Sequence, residues 1–336
     1  MEEDQMNAQA SCRGGIDLGG TKIQAVVVDS RDAVIGQARR ATPTSGGPPD
    51  VVEAMAQTLE EAAAAAGCEP SSLEGVGVGV PGPIDHDRGT LLYAANLPDW
   101  NDPYPVVEKL SGLLGAPVRL GNDDGVAVDA EFHLGAGKPY NSLLGIWWGT
   151  GVGGGIILDG KHWYGRGSAG ELGHTVVRLG GRKALNGLEG TIEAYAGRAA
   201  MEARARRIVE RGGRTELFEI MERKGRTRLA SGVWAEALER KDALAVKLID
   251  RAVSVLGAGA GSVVNLLDVE AVVIGGGLGS RLGQPYADRI AEAMRPHLLQ
   301  PDRPPAVLVA SLGDLGGAIG ATLVAQVSSP GVALAS

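Results

Sequence analysis

The 336-residue sequence has only two cysteines, Cys12 and Cys68. Two thiols make neither a disulfide framework nor a cysteine-rich metal cluster, so ordinary thiols in a reducing compartment are expected. No Lys/Arg-rich block occurs, and a formal net charge of −8 argues against a general nucleic-acid or anionic-membrane surface. Any phosphate must then be held locally. No run approaches the ~18 apolar residues of a membrane span. The acidic opening MEEDQMNAQASCRGG also lacks the apolar core of a secretory signal. The expectation is a cytoplasmic protein with neither nucleic-acid nor membrane partners, whose residues 1–13 form a disordered leader.

What the chain has in abundance is glycine: 52 residues, clustered between apolar runs rather than spaced as a repeat. That pattern, with a length sufficient for two cores, predicts a turn-rich α/β protein of two domains. Gly15 to Asp29 reads as a strand hairpin, followed by a third strand near Val34–Arg39. Asp50 is expected to cap a helix with apolar spacing at Val52, Met55, Leu59, Ala62 and Ala66, ended by Gly67. A buried strand at 76–80, a helix at 106–114, a strand at 118–120 and a helix through Phe132 follow. Residues 142–158 again read strand, glycine turn, strand. The stretch 190–266 reads as mainly helical, with the charged ERGGRTELFEIMERKGRTR as a solvated segment and 209–240 as a surface insertion. A strand at 269–277 and a helix from Gly316 close the chain.

Asp17 is the outlier, because an unpaired carboxylate inside a buried strand is costly. It stands just before a turn, Gly19-Gly20-Thr21-Lys22, and the second half of the chain repeats the arrangement at Gly149-Thr150-Gly151. Both turns join two strands, which sets them apart from phosphate loops and dinucleotide fingerprints, where a helix follows. Glycines let consecutive N–H groups converge on an anion. Thr21 and Thr150 add hydroxyls and Lys22 adds charge. Asp17 is placed to hold Mg2+ against a polyphosphate, directly or through water. The echo between the halves suggests two related α/β lobes facing one cleft.

These segments resemble the ROK group of repressors and sugar kinases, within the actin-like ATPase superfamily (ribonuclease H-like fold), from Gly15 to about Ala325. DLGGTK at 17–22 and GTGVGGGIILDGK at 149–161 look like the family's two phosphate motifs. VVIGGGLG at 272–279 is similar to its adenosine segment, which assigns Gly275, Gly276 and Gly277 to ATP, and LGDLGGAIGAT at 312–322 resembles its C-terminal helix entry. The implied division is a small lobe of 14–120 plus 312–336 and a large lobe of 121–311.

On the sugar side, Asn122-Asp123 fall between a strand and a helix, where α/β sheets present ligand groups. A carboxylate there could serve as general base or as a helix cap. GNDDGVAVDAE resembles the family's Asn-Asp segment, which assigns the base role to Asp123 and leaves capping to Asp124. AANLPDW at 94–100 resembles a sugar-contact loop, implying Asn96 as the contact and Trp100 as packing. GELGHTVV implies Glu171 and His174, and GTIEAYAG implies Glu193. The sequence departs from the family where three cysteines would join the histidine around zinc: Ala184, Asn186 and Thr191 stand there. A lone histidine does not make a zinc site, so no zinc is expected.

The resemblance implies an ATP- and Mg2+-dependent hexose 6-phosphotransferase, with glucose as the expected sugar and a homodimer or homotetramer as the assembly. Alternatives are kinases for mannose, fructose, N-acetylmannosamine or N-acetylglucosamine, use of polyphosphate as donor, and a non-catalytic sugar-binding regulator. Family repressors carry an N-terminal helix-turn-helix domain, and only an acidic dozen residues precede the first strand here.

Overall fold

A computed structural model describes residues 11–326 of the chain, which divide into two compact units: one contains everything up to Glu131 together with the segment from Leu312, the other runs from Phe132 to Ser311. The first unit therefore extends past the boundary anticipated at 120/121, taking in nine of the eleven residues of the helix that follows Asn122. Residues 1–10 of the expected leader lie outside the described residues. Arg13, also expected in that leader, is instead buried in the first strand, where its guanidinium donates to Thr322 O at 3.3 Å and pairs with Asp32.

In the first unit, β1 (Arg13–Leu18), β2 (Lys22–Val28) and β3 (Val34–Ala41) form an antiparallel meander. Helix α1 (Pro48–Ala66) follows. Its N-cap is Gly47, not Asp50, which lies in the first turn, and Gly67 closes it in the left-handed conformation. Pro48 and Pro49 explain the shift, since proline is pre-set for the first helical positions. Then come β4 (Gly75–Val80), the short pair β5 (Ile84–Asp85) and β6 (Thr90–Leu91), α2 (Val106–Leu114), β7 (Val118–Asn122) and α3 (Asp123–His133). The sheet order is β3-β2-β1-β4-β7, with β4 parallel to β1 and β7 parallel to β4.

The second unit repeats the plan. An antiparallel pair, β8 (Leu143–Trp148) and β9 (Val152–Leu158), carries β10 (Lys161–His162) at its edge. After the helices α4 (Glu193–Ala196), α5 (Arg198–Val209), α6 (Leu217–Arg223), α7 (Ser231–Glu239) and α8 (Ala243–Leu267), the chain adds β11 (Ala271–Gly275), parallel to β8. Then α9 (Gly276–Leu282), α10 (Gln284–Met294) and β12 (Ala306–Val309) complete the order β10-β9-β8-β11-β12. Each sheet is thus an antiparallel three-strand ribbon extended by two parallel strands. Residues 209–240 are not a surface insertion: Leu217, Ile220, Met221, Leu229, Val233, Trp234 and Ala237 are buried in this unit's core. Their apolar stripe at helical spacing was obscured by the dense charge on the opposite faces.

From Leu312 the chain returns to the first unit with α11 (Gly316–Gln326). Glycines let this helix lie directly on the sheet. A Cβ on Gly15 would stand 2.0 Å from Ala318 O, and one on Gly77 would stand 1.7 Å from Ala321 O. Among the described residues, no helix is long and apolar enough to cross a membrane.

Candidate active site

In the first unit, Asp17 on β1 pairs with Gly79 on β4, and Gly79 pairs with Gly121 on β7. Asp17 and the Asn122-Asp123 pair therefore emerge at the same carboxyl edge of the parallel strands, where ligand groups of α/β sheets gather. Gly79 leaves room for this: a Cβ there would lie 3.4 Å from the Cα of Asp123. The helix cap is Asn122, whose Oδ1 accepts from Gly125 N at 3.0 Å, rather than Asp124. Asp123 Oδ1 accepts from Asp124 N at 3.0 Å, which fixes the carboxylate at the helix start.

Burial pushes the Asp17 carboxyl up to about 6, with Lys22 pulling the other way and Asp314 adding to the rise. No hydrogen bond reaches the Asp17 carboxyl among the described residues, and Lys22 Nζ faces Asp314 at 3.3 Å. A desolvated carboxylate held by no hydrogen bond suits a hard cation. The turn between β1 and β2 is pinned by Thr42, which the sequence reading missed: its hydroxyl donates to Gly19 O at 2.6 Å, while Gly19 N donates to Lys22 O at 3.0 Å. A Cβ on Gly20 would stand 2.8 Å from Asn96 O, so the expected sugar loop lies on this turn. Trp100 packs as expected, fully buried, edge-on to Tyr104.

In the second unit, the Gly149-Thr150-Gly151 turn joins β8 to β9, and Gly149 N donates to Gly151 O at 3.0 Å. Glu193, expected as a sugar contact, supports this turn: its Oε2 accepts from Val152 N at 3.0 Å. On the same strand residue, a Cβ on Gly173 would lie 1.9 Å from Val152 O, so the Glu171–His174 segment packs against Val152 as well. Residues 190–193 join them through the Val176–Thr191 bridge and the bond from Ile192 N to Thr175 O at 3.0 Å. The segments that carry Glu171, His174 and Glu193 thus meet at one β9 residue. Trp147 and Gly275 are in register on β8 and β11, which brings Gly276 and Gly277 beside the turn; a Cβ on Gly149 would stand 3.9 Å from Gly277 N. Gly276 takes a φ of 78°, which explains why only glycine fits there.

The departures from the zinc pattern have their own bonding. Asn186 Oδ1 accepts from Leu188 N at 3.1 Å, which orients the amide so that Nδ2 faces His174 Nδ1 at 3.4 Å. A neutral His174 then carries its proton on Nε2, facing Glu171 Oε2 at 3.7 Å. Thr191 Oγ1 accepts from Ala194 N at 3.4 Å, and Ala184 is buried. Among the described residues, no group of three or more His, Cys, Asp or Glu side chains is placed to hold a metal ion.

Two five-stranded sheets, each opening on a strand–glycine turn–strand, define a two-unit α/β protein, and comparison with known proteins specifies which. The ROK family model matches residues 13–327. A glucokinase of Streptomyces coelicolor is 32% identical over 94% of this chain and 98% of its own length. An N-acetylgalactosamine kinase of Shewanella sp. is 31% identical, covering 95% and 98%. The crystal structure of a ROK family glucokinase from Streptomyces griseus in complex with glucose and AMPPNP superposes with a TM-score of 0.76 at 31% identity, over 94% of this chain and 99% of that one. The chain belongs to the ROK family. Its fold is that of the actin-like ATPases, and its relatives support a sugar-kinase function.

Proposed function

We propose that this protein transfers the γ-phosphoryl group of ATP to the 6-hydroxyl of a hexose, with glucose as the preferred sugar. The observation that carries the reading is the glycine turn repeated at the same position of two equivalent sheets, with Asp17 beneath one and Asp123 at the same strand edge. In this reading Asp123 accepts the proton of the sugar hydroxyl as that oxygen attacks the γ-phosphorus in line and the bond to ADP breaks. Asn96, Asn122, Glu171, His174 and Glu193 fix the sugar by hydrogen bonds. Gly19, Gly20, Thr21, Lys22, Gly149, Thr150 and Gly151 hold phosphate oxygens, and Gly275 to Gly277 take the adenosine side. Asp17 would hold Mg2+, whose charge, when bound, offsets that on the phosphates.

The N-acetylgalactosamine kinase relative favours a second reading, in which the sugar is an N-acetylhexosamine. A cytoplasmic homodimer or homotetramer accompanies either reading. The test is ADP release with Mg-ATP across glucose, mannose, fructose and the N-acetylhexosamines. The highest kcat/KM is expected with glucose. A higher value for an N-acetylhexosamine replaces the substrate, and no turnover with any sugar overturns the kinase reading.

A further inference from the structure

Arg198 is the first residue of α5 and stands against the second glycine turn. Its Nη2 donates to Thr150 Oγ1 at 2.8 Å, while its backbone N donates to Gly149 O at 3.2 Å. The guanidinium also reaches the glycines after β11: a Cβ on Gly277 would lie 3.8 Å from Nη1. One side chain thus bonds the turn and lies beside the glycines after β11, the two segments assigned to the nucleotide. Desolvation is the main influence on this guanidinium and lowers its pKa, although the group remains charged.

Two features of this geometry point to a ligand. First, guanidinium carries five N–H donors and no acceptor. Among the described residues only one bond, to Thr150, uses them, and no carboxylate lies within ion-pair distance; Glu202, the nearest acidic influence, is engaged by Arg206 and Arg228. Second, Arg198 can only donate, so Thr150 Oγ1 must accept, and the threonine's own proton is left to donate elsewhere. A half-buried cation with spare donors, beside a hydroxyl whose proton is directed away from it, matches the oxygens of a polyphosphate chain.

We infer that Arg198 binds the polyphosphate of the phosphoryl donor and presents the Thr150 hydroxyl to the same chain. The inference rests on the kinase reading above. Arg198 adds a ligand that sequence motifs did not mark, because it comes from a helix start well beyond the turn it serves.

The test is calorimetric binding to the full-length protein, without sugar, of Mg-ADP, adenosine and inorganic tripolyphosphate, for wild type, Arg198→Ala and Arg198→Lys. Arg198→Ala is expected to weaken Mg-ADP and tripolyphosphate by about 10- to 100-fold, the range for a lost charge-assisted hydrogen bond, and to leave adenosine unchanged. Arg198→Lys, which keeps the charge and loses the fork, should recover part of that loss. In steady state the KM for ATP should rise while that for the sugar stays within twofold. Equal Mg-ADP binding by wild type and Arg198→Ala overturns the inference alone. An equal loss for adenosine and ADP also overturns it, since the nucleoside pocket would then be what was disturbed. Failure of wild type to bind any of the three probes counts instead against the kinase reading.

Discussion

Asp17 lies against Gly317 in the first turn of α11: a methyl group on Gly317 would stand 2.8 Å from the Asp17 carboxyl carbon. The aspartate inside a buried strand is accommodated by a helix start stripped of side chains, and its carboxyl is left without a hydrogen-bond donor from the described residues.

That arrangement has a pH signature. The folded pKa of about 6 lies above the ordinary 3.8, so the folded state prefers the protonated acid. The group's contribution is fully present below the unfolded pKa and is lost as pH rises through about 6. Ionised Asp17 then costs at most about 3 kcal/mol in metal-free protein. Asp17→Asn should therefore raise Tm at pH 8 in chelator, with an advantage that shrinks between pH 6 and 4. Adding Mg2+ should stabilise wild type more than the variant. A Tm difference independent of pH contradicts the burial argument.

The glycines beneath α11 should be intolerant of substitution. Gly77→Ala places a methyl 1.7 Å from Ala321 O, a backbone atom with no freedom to rotate away. A loss of several kcal/mol, or failure to fold, is expected in denaturant titration. Gly112→Ala is the contrasting case: it lies within α2 with nothing within 4 Å of the added methyl. It should stabilise by about 0.5–1 kcal/mol.

Glu193 is expected to serve twice. Its carboxylate supports Val152 N in the second turn and, in the proposed reading, contacts the sugar. Glu193→Gln keeps an oxygen for Val152 N, so the KM for ATP should stay within a few-fold while the KM for sugar rises about 10-fold or more. A KM change confined to ATP would make Glu193 a turn support and nothing more.

Asn186 fixes His174 in place of a metal. Asn186→Ala frees the imidazole, and the sugar KM should rise about 3- to 10-fold, the loss of one neutral hydrogen bond. Dialysis against a zinc chelator should change neither Tm nor activity once Mg2+ is restored. Loss of Tm on dialysis would show a structural metal.

Much of the site was legible because its chemistry is local. Asp17 stood out as a charge in an apolar strand, and the two glycine turns lie within short, recognisable segments. Thr42 and Arg198 were not legible in this way, and Asn186 was marked only as a departure from the zinc pattern, not as the partner of His174. Each acts on a turn or ring that is distant in sequence, and nothing local distinguishes a threonine after a strand or an arginine opening a helix from an ordinary surface residue. Residues 209–240 were misread for a related reason: their charges dominate the composition while the buried stripe through Leu217, Ile220 and Trp234 is sparse. The cap at Asn122 shows the limit of spacing arguments, since three consecutive polar residues each suit a helix start and only the bond from Gly125 N to Asn122 Oδ1 chooses among them.

The central claim rests on Asp123, and one comparison tests it: ADP release by wild type and Asp123→Asn at saturating Mg-ATP and the best sugar. The account predicts a kcat lower by about 100- to 10,000-fold in the variant, the usual contribution of a general base, with the Kd for Mg-ADP unchanged. Turnover within threefold of wild type would contradict it.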